Sequence, residues 1–241
     1  MATHTLRAVA LALLACSATA AQAAEWSYKG EHGVEHWGAM YATCGEGVNQ
    51  TPIDIKNPTE AELAPLQIDY EGKVTEVVNN GHTIQANVSG KNTLTVDGDT
   101  FTLKQFHFHT PSENYIEGKQ YPLEVHFVHA NSKGQLAVIG AMFEVGPRGN
   151  DAFNALLATI PQKDHTTALA NTFNPADLLP RDREYYRFNG SLTTPPCSEG
   201  VRWFVMQEPQ AATQAQTDAL HKVMGNNARP LQPLNARLVL E

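Results

Sequence analysis

A chain of 241 residues, 42% hydrophobic and 17% charged, has ample material for a core and reads as one domain, not as a disordered tail. Lys and Arg number 17 against 25 Asp and Glu, a net charge of −8, and there is no basic stripe or basic–aromatic motif. This argues against nucleic acid as a partner.

The N-terminus has the parts of a secretory signal. Arg7 precedes the apolar run 8–15, and Ala21-Gln22-Ala23 has the form of a cleavage site, so residues 1–23 are predicted to be removed by a cut after Ala23. The run is too short for a membrane span, which needs about 20 apolar residues. An N-terminal core helix is one alternative. Another is a lipid anchor at Cys16, since Leu13-Leu14-Ala15-Cys16 loosely matches a lipoprotein signal. A cut after Ala23 implies a periplasmic or secreted domain, 24–241, whose remaining cysteines are Cys44 and Cys197. An even pair in an oxidising compartment reads as one disulfide. A thiol nucleophile at Cys197 is the weaker alternative, because two prolines precede it and no His is near it in sequence.

Along the mature chain, 49–55 is a turn entering a short strand. Segments 66–70 and 74–78 are strand-like, and Asn79-Asn80-Gly81 is a turn signal. The run 82–88 alternates. Segments 94–96 and 100–109 are the arms of a hairpin around Asp97-Gly98-Asp99. A polar loop, 110–119, leads to a second alternating run, 123–128. The most apolar run, 136–145, reads as a central strand. Helical spacing over 150–160 puts Phe153, Leu156, Leu157 and Ile160 on one face. Segment 185–188 leads into the run 190–197; a strand follows at 201–206, then an amphipathic helix at 213–224, a coil at 227–237 and a last short strand at 238–240. The count is about ten strands against two helices, which predicts a mainly β fold with helices on its surface.

The chemistry concentrates in two of these runs. A strand has a side-chain period of two, so Gln105, His107 and His109 share one face, with Phe101 and Leu103 further back on it. Phe106 and Phe108 point the other way, to a core. In 123–128 the same rule groups Glu124, His126 and Val128. If these strands pair, three imidazoles converge beside a Gln and a Glu. Three neutral His ligands with one open position make a catalytic zinc arrangement. Gln105 and Glu124 then fix the ring tautomers. The bland reading is that a His on a strand is a core or surface residue, and His-x-His alone is unspecific. His32 and His36 fit no ligand pattern. His82 follows a turn, near Gln85, and taken alone is a surface histidine.

The segment 105–109, Ser112-Glu113-Asn114, Glu124-Val125-His126 and Ser191-Leu192-Thr193-Thr194-Pro195-Pro196 together, in this order and spacing, resemble the α-class carbonic anhydrases. The resemblance runs from Trp26 to the 227–237 tail, and the signal and cysteine pair resemble the bacterial, secreted members. It implies a single domain around a central, largely antiparallel, ten-stranded twisted sheet. It implies reversible hydration of carbon dioxide to bicarbonate and a proton, by a hydroxide generated at one zinc ion. His107, His109 and His126 are expected to bind that ion. Gln105, Glu124 and the Asn227 carbonyl are expected to hold their rings. Thr193 with Glu113 is expected to orient the nucleophile, and His82 to shuttle the proton. Tyr28, Asn80 and Gln85 match the side that orders water. Val128, Val138, Leu192, Val201 and Trp203 match the wall where carbon dioxide sits. Sulfonamide and anion inhibitors, a side activity on esters, and cis peptide bonds at Thr51-Pro52 and Pro195-Pro196 are implied as well.

Overall fold

The computed structural model describes residues 25–241; the predicted signal peptide, its cleavage site and Cys16 lie outside them. Thirteen strands follow in chain order: β1 (Asp54–Ile55), β2 (Gln67–Tyr70), β3 (Lys73–Asn79), β4 (Ile84–Ser89), β5 (Asn92–Val96), β6 (Asp99–His109), β7 (Tyr115–Ile116), β8 (Leu123–Ala130), β9 (Leu136–Val145), β10 (His165–Phe173), β11 (Tyr185–Ser191), β12 (Glu199–Met206) and β13 (Gln210–Ala212). The α-helices are α1 (Trp37–Met40), α2 (Ala42–Glu46), α3 (Asp151–Leu157) and α4 (Gln214–Met224).

Eleven of the strands form one sheet, with the path β10-β3-β4-β6-β8-β9-β12-β11. Strand β5 lies beside the first half of β6 and β4 beside the second, while β2 extends the sheet from β5. Pairing is antiparallel throughout, except that β12 and β13 run parallel to β9. Strands β1 and β7 form a separate parallel pair. The chain is thus mainly β with a large mixed sheet, of eleven strands where the resemblance implied ten.

Each face of the sheet has its own apolar cluster. Phe106, Phe108, Val125, Phe127, Ile139, Phe143 and Phe204 join the larger core, on which α3 lays Phe153 and Leu156 and α4 lays Leu220. Each such side chain, fully buried, stabilises the fold by about 1.5–3 kcal/mol. The opposite face carries Val138, Met142, Val201, Trp203 and Val205, packed with Ile53 and Phe188.

Two sequence expectations change here. Phe101 and Leu103 do not share a face with His107; both lie in the larger core with Phe106 and Phe108. The pairing of β6 with β8 shifts register between Leu103 and Gln105, so Lys104 is an extra residue. A bulge of one residue reverses the facing of everything behind it, and alternation alone cannot see that. The expected last strand at 238–240 is only a pair of isolated bridges from Leu240 to Thr59 and Arg187. Strand β10 went unpredicted because all but Leu169 and Phe173 of its residues are exposed, which leaves no apolar period to read. Helix α3 stops at Leu157, short of 160. Pro161 follows, and the residue before a proline is biased away from helix.

Candidate metal centre

The sheet register brings the histidines together. His107 on β6 faces His126 on β8, and His109 faces Glu124. Ring centroids are 5.1 Å apart for His107 and His109, 5.4 Å for His107 and His126, and 4.5 Å for His109 and His126. One nitrogen from each ring falls within 4.8 Å of the others. The second nitrogens have partners of their own: His107 Nδ1 hydrogen-bonds Gln105 Oε1 at 2.9 Å and His109 Nδ1 the Asn227 carbonyl at 2.8 Å, while His126 Nε2 stands 2.9 Å from Glu124 Oε1 as an ion-pair contact outside hydrogen-bond alignment. That leaves His107 Nε2, His109 Nε2 and His126 Nδ1 for a metal. His109 Nε2 is buried with no hydrogen-bond partner, a condition a metal ion would relieve. Burial holds His107 well below the usual imidazole pKa, with His109 and His126 pressing the same way, and burial also lowers His109. Both rings are therefore neutral, as a ligand must be. The donor set fits zinc, and three protein ligands leave a position open.

Glu124 is held as firmly as the ring it serves. Its Oε2 accepts the Glu113 and Asn114 backbone N–H groups at 2.8 and 2.9 Å, and its Oε1 accepts Asn114 Nδ2 at 2.9 Å. Burial alone would raise its pKa; His126 and the Asn114 hydrogen bonds outweigh burial and bring it below the usual carboxylate value. Behind it, Gly140 on β9 faces His126, and a Cβ there would stand 3.0 Å from Glu124 Oε1. Asn114 was only part of a motif in the sequence; its Oδ1 also accepts the Ile53 N–H at 3.0 Å, tying the 112–114 turn to the neighbouring segment.

Thr193 sits on the loop after β11. Its geometry is set by a cis Pro195-Pro196 bond, by Cys197 N–H donating to the Thr194 carbonyl at 2.9 Å, and by a Cys44–Cys197 disulfide with Cα atoms 5.0 Å apart. Thr51-Pro52 is also cis, as expected, and so is Thr110-Pro111, which was not. Thr193 lies beside the Glu113 carboxyl and lowers its pKa; Glu113 Oε1 accepts the Arg229 backbone N–H at 2.8 Å, and its buried Oε2 has no hydrogen-bond partner. Glu113 Oε2 is 3.4 Å from His109 Nε2 and 3.8 Å from His126 Nδ1. Burial pushes Glu113 up to about 7, against the lowering effects of His126, Arg229 and Thr193.

The remaining candidates surround this centre. Asn80 Oδ1 accepts the His82 and Thr83 N–H groups at 3.0 and 2.9 Å, so its side chain builds the turn that presents His82. The half-buried His82 ring stacks on Trp26 at 3.9 Å, a partner not singled out in the sequence. Burial lowers the His82 pKa, and the Lys163 charge adds to that. Asn227 Nδ2 donates to the His82 carbonyl at 3.1 Å, linking this turn to the residue that holds His109. Gln85 lies opposite His107 in the register and donates to Asn87 Oδ1 at 3.0 Å. Tyr28 packs in the ring cluster of Trp26 and Trp37, and burial, then the Glu113 charge, raise its hydroxyl pKa. Val128, Val138, Leu192, Val201 and Trp203 belong to one apolar cluster, with the Trp203 ring 4.9 Å from His126.

Residues 32–241 match the model of the eukaryotic-type carbonic anhydrase family. The chain is 45% identical to a carbonic anhydrase of Pectobacterium atrosepticum over 96% of its own length and 97% of that protein's. A solved α-carbonic anhydrase of Photobacterium profundum is 75% identical, with a TM-score of 0.89 over 90% of this chain and all of that one. The α-carbonic anhydrase of Thermovibrio ammonificans, solved with the inhibitor sulfanilamide, is 46% identical, with a TM-score of 0.88 over 90% of this chain and 99% of that one.

Proposed function

The chain belongs to the eukaryotic-type, or α-class, carbonic anhydrase family and is an enzyme of that kind, and from that premise we propose that it hydrates carbon dioxide with a zinc ion held by His107, His109 and His126 and a proton relay through His82. The observation that carries the proposal is the convergence of three imidazoles whose other nitrogens are already engaged. When bound, zinc supplies Lewis acidity that makes hydroxide available near neutral pH; the associated water pKa of about 7 is the reference value for carbonic anhydrases as a class, not a result of this geometry.

The chain's own residues do the rest. Ionised, Glu113 can only accept, so it directs the single Thr193 hydroxyl donor toward itself as a hydrogen bond. The Thr193 oxygen then faces the site as an acceptor and suits a nucleophile that brings its own proton. An anion without a proton meets a lone pair instead. A bound cation would pull Glu113 down from about 7, which keeps it in that role. Carbon dioxide is small and apolar, and the wall of Val128, Val138, Leu192, Val201 and Trp203 suits it. His82, outside the ligand triad and half-buried, is the imidazole able to take the proton to buffer. Tyr28 and Gln85 offer polar groups between. A primary sulfonamide carries a proton to give Thr193, so inhibition by sulfanilamide is proposed here too. A slow side activity on activated esters is proposed for the same site.

The disulfide accords with an oxidising compartment. We place the mature enzyme in the periplasm or outside the cell, cut after Ala23, with a lipid anchor at Cys16 as the lesser option. A carbon dioxide hydration assay on purified mature protein, with metal analysis of the same sample, tests the function. Absence of hydration by fully zinc-loaded protein would overturn it.

A further inference from the structure

Arg229 carries a buried guanidinium that the mechanism above does not use. It is 5% exposed and lies over the Trp37 ring. Nη1 donates to Gln50 Oε1 and to the Thr51 carbonyl, both at 2.9 Å, and Nη2 donates to the Cys44 carbonyl at 3.0 Å. Gln50 passes the contact on, its Nε2 donating to the Cys197 carbonyl at 3.0 Å. The backbone N–H of Arg229 is the donor to Glu113 Oε1. These contacts close on themselves. From Glu113 they run through Arg229 to Cys44, across the disulfide to Cys197, and back along the loop to Thr193, which lies beside Glu113. A buried cation is tolerated only when its donors are satisfied, and a rigid fork can serve three acceptors at once where an ammonium head cannot.

We propose that Arg229 is a positioning residue for the Thr193–Glu113 pair: its guanidinium fixes where its own backbone N–H stands, and that N–H fixes the Glu113 carboxylate. The proposal rests on the reading of that pair as catalytic. A Glu113 left loose frees the Thr193 hydroxyl to turn its proton toward the site, where it can serve an anion that brings none. Metal binding is separate. Asn227, which holds His109, has its own anchors to Thr110, His82 and Phe108.

The test uses the zinc-loaded protein with Arg229→Met, Gln50→Leu and the double variant, and Glu113→Gln as control. Arg229→Met is expected to keep its zinc and its KM, and to lose kcat by about 10- to 100-fold, the size of effect a small misplacement has. Thiocyanate should bind it more tightly and sulfanilamide more weakly than the parent. The amide of residue 229 should exchange hydrogen faster. Gln50→Leu should give the same changes, smaller, and the double variant should be no worse than Arg229→Met, since both act through one linkage. Parental kcat and amide exchange in Arg229→Met, or a kcat loss matched by loss of zinc, overturns the proposal. Should Arg229→Met fail to fold, parental behaviour of Gln50→Leu in all three readouts overturns it. Unimpaired hydration by Glu113→Gln overturns the reading of the pair and the proposal together; an impaired Glu113→Gln beside a parental Arg229→Met removes only the positioning role.

Discussion

At the scale of single residues, three imidazoles converge with one nitrogen each turned to a common point, so on the proposed reading none of them is dispensable. His107→Ala, His109→Ala and His126→Ala are each expected to lose zinc and hydration activity, measured by metal analysis and assay of the same preparation. Full activity in any one of them removes the triad. His82 makes a separate prediction. Its turn is built by Asn80 and its ring rests on Trp26, outside the triad. His82→Ala should slow turnover by about a hundredfold at low buffer concentration, a typical share for one acid–base group. Interconversion at equilibrium should hardly change, and added imidazole should restore much of the loss. A misfolded variant would not respond to imidazole. Unaltered turnover at low buffer would make His82 a surface histidine. The roles of Trp26, Asn114 and Arg229 were not legible beforehand, because their partners lie far away in sequence or act through backbone groups.

At the scale of elements, the site depends on register. Strands β6, β8 and β9 place His107, His126 and Gly140 in one row across the sheet, and a Cβ at Gly140 would press on Glu124 Oε1 at 3.0 Å. Gly140→Val should push Glu124 away from His126. Zinc affinity should then fall by about 10- to 100-fold, the usual effect of losing a partner that orients a ligand. Competition with a chelator measures it, and unchanged affinity would mean that Glu124 does not orient the ring. The bulge at Lys104 works at this scale as well. It lets one strand face the larger core at Phe101 and Leu103 and still present His107 and His109 on the opposite side.

At the scale of the molecule, the buried His129 links stability to pH. It meets the Tyr70 hydroxyl at 2.6 Å, and burial lowers its pKa to about 4. A depressed histidine pKa means that the unfolded chain binds the proton first. Stability from this group is therefore complete above about 6.5 and is lost as pH falls toward 4, by about 3 kcal/mol in all. Denaturant titrations between pH 7 and 4 should record that fall, and His129→Gln should flatten it. An equally steep fall in the variant would assign it to other groups. The disulfide spans a separation of 153 residues. Its loss in Cys44→Ser with Cys197→Ser should lower stability by about 2–5 kcal/mol, since the open unfolded chain regains entropy. A midpoint unchanged in denaturant would contradict this.

The sequence by itself determined the two alternating runs and hence the three histidines placed to hold a metal, because a strand's period of two is local and His, Gln and Glu have few roles in such a pattern. It also carried the family, through the spacing of four motifs, and the partners of the disulfide, through the cysteine count. It did not determine the facing of Phe101 and Leu103, since a bulge is defined only against the neighbouring strand. The edge strand β10, almost without buried side chains, existed only as hydrogen bonds to β3. The tertiary structure alone decided what holds Glu113 and Glu124, because their partners are backbone N–H groups and an arginine more than a hundred residues away. Every residue carries the same backbone donor, so only the fold can say which one points at a carboxylate.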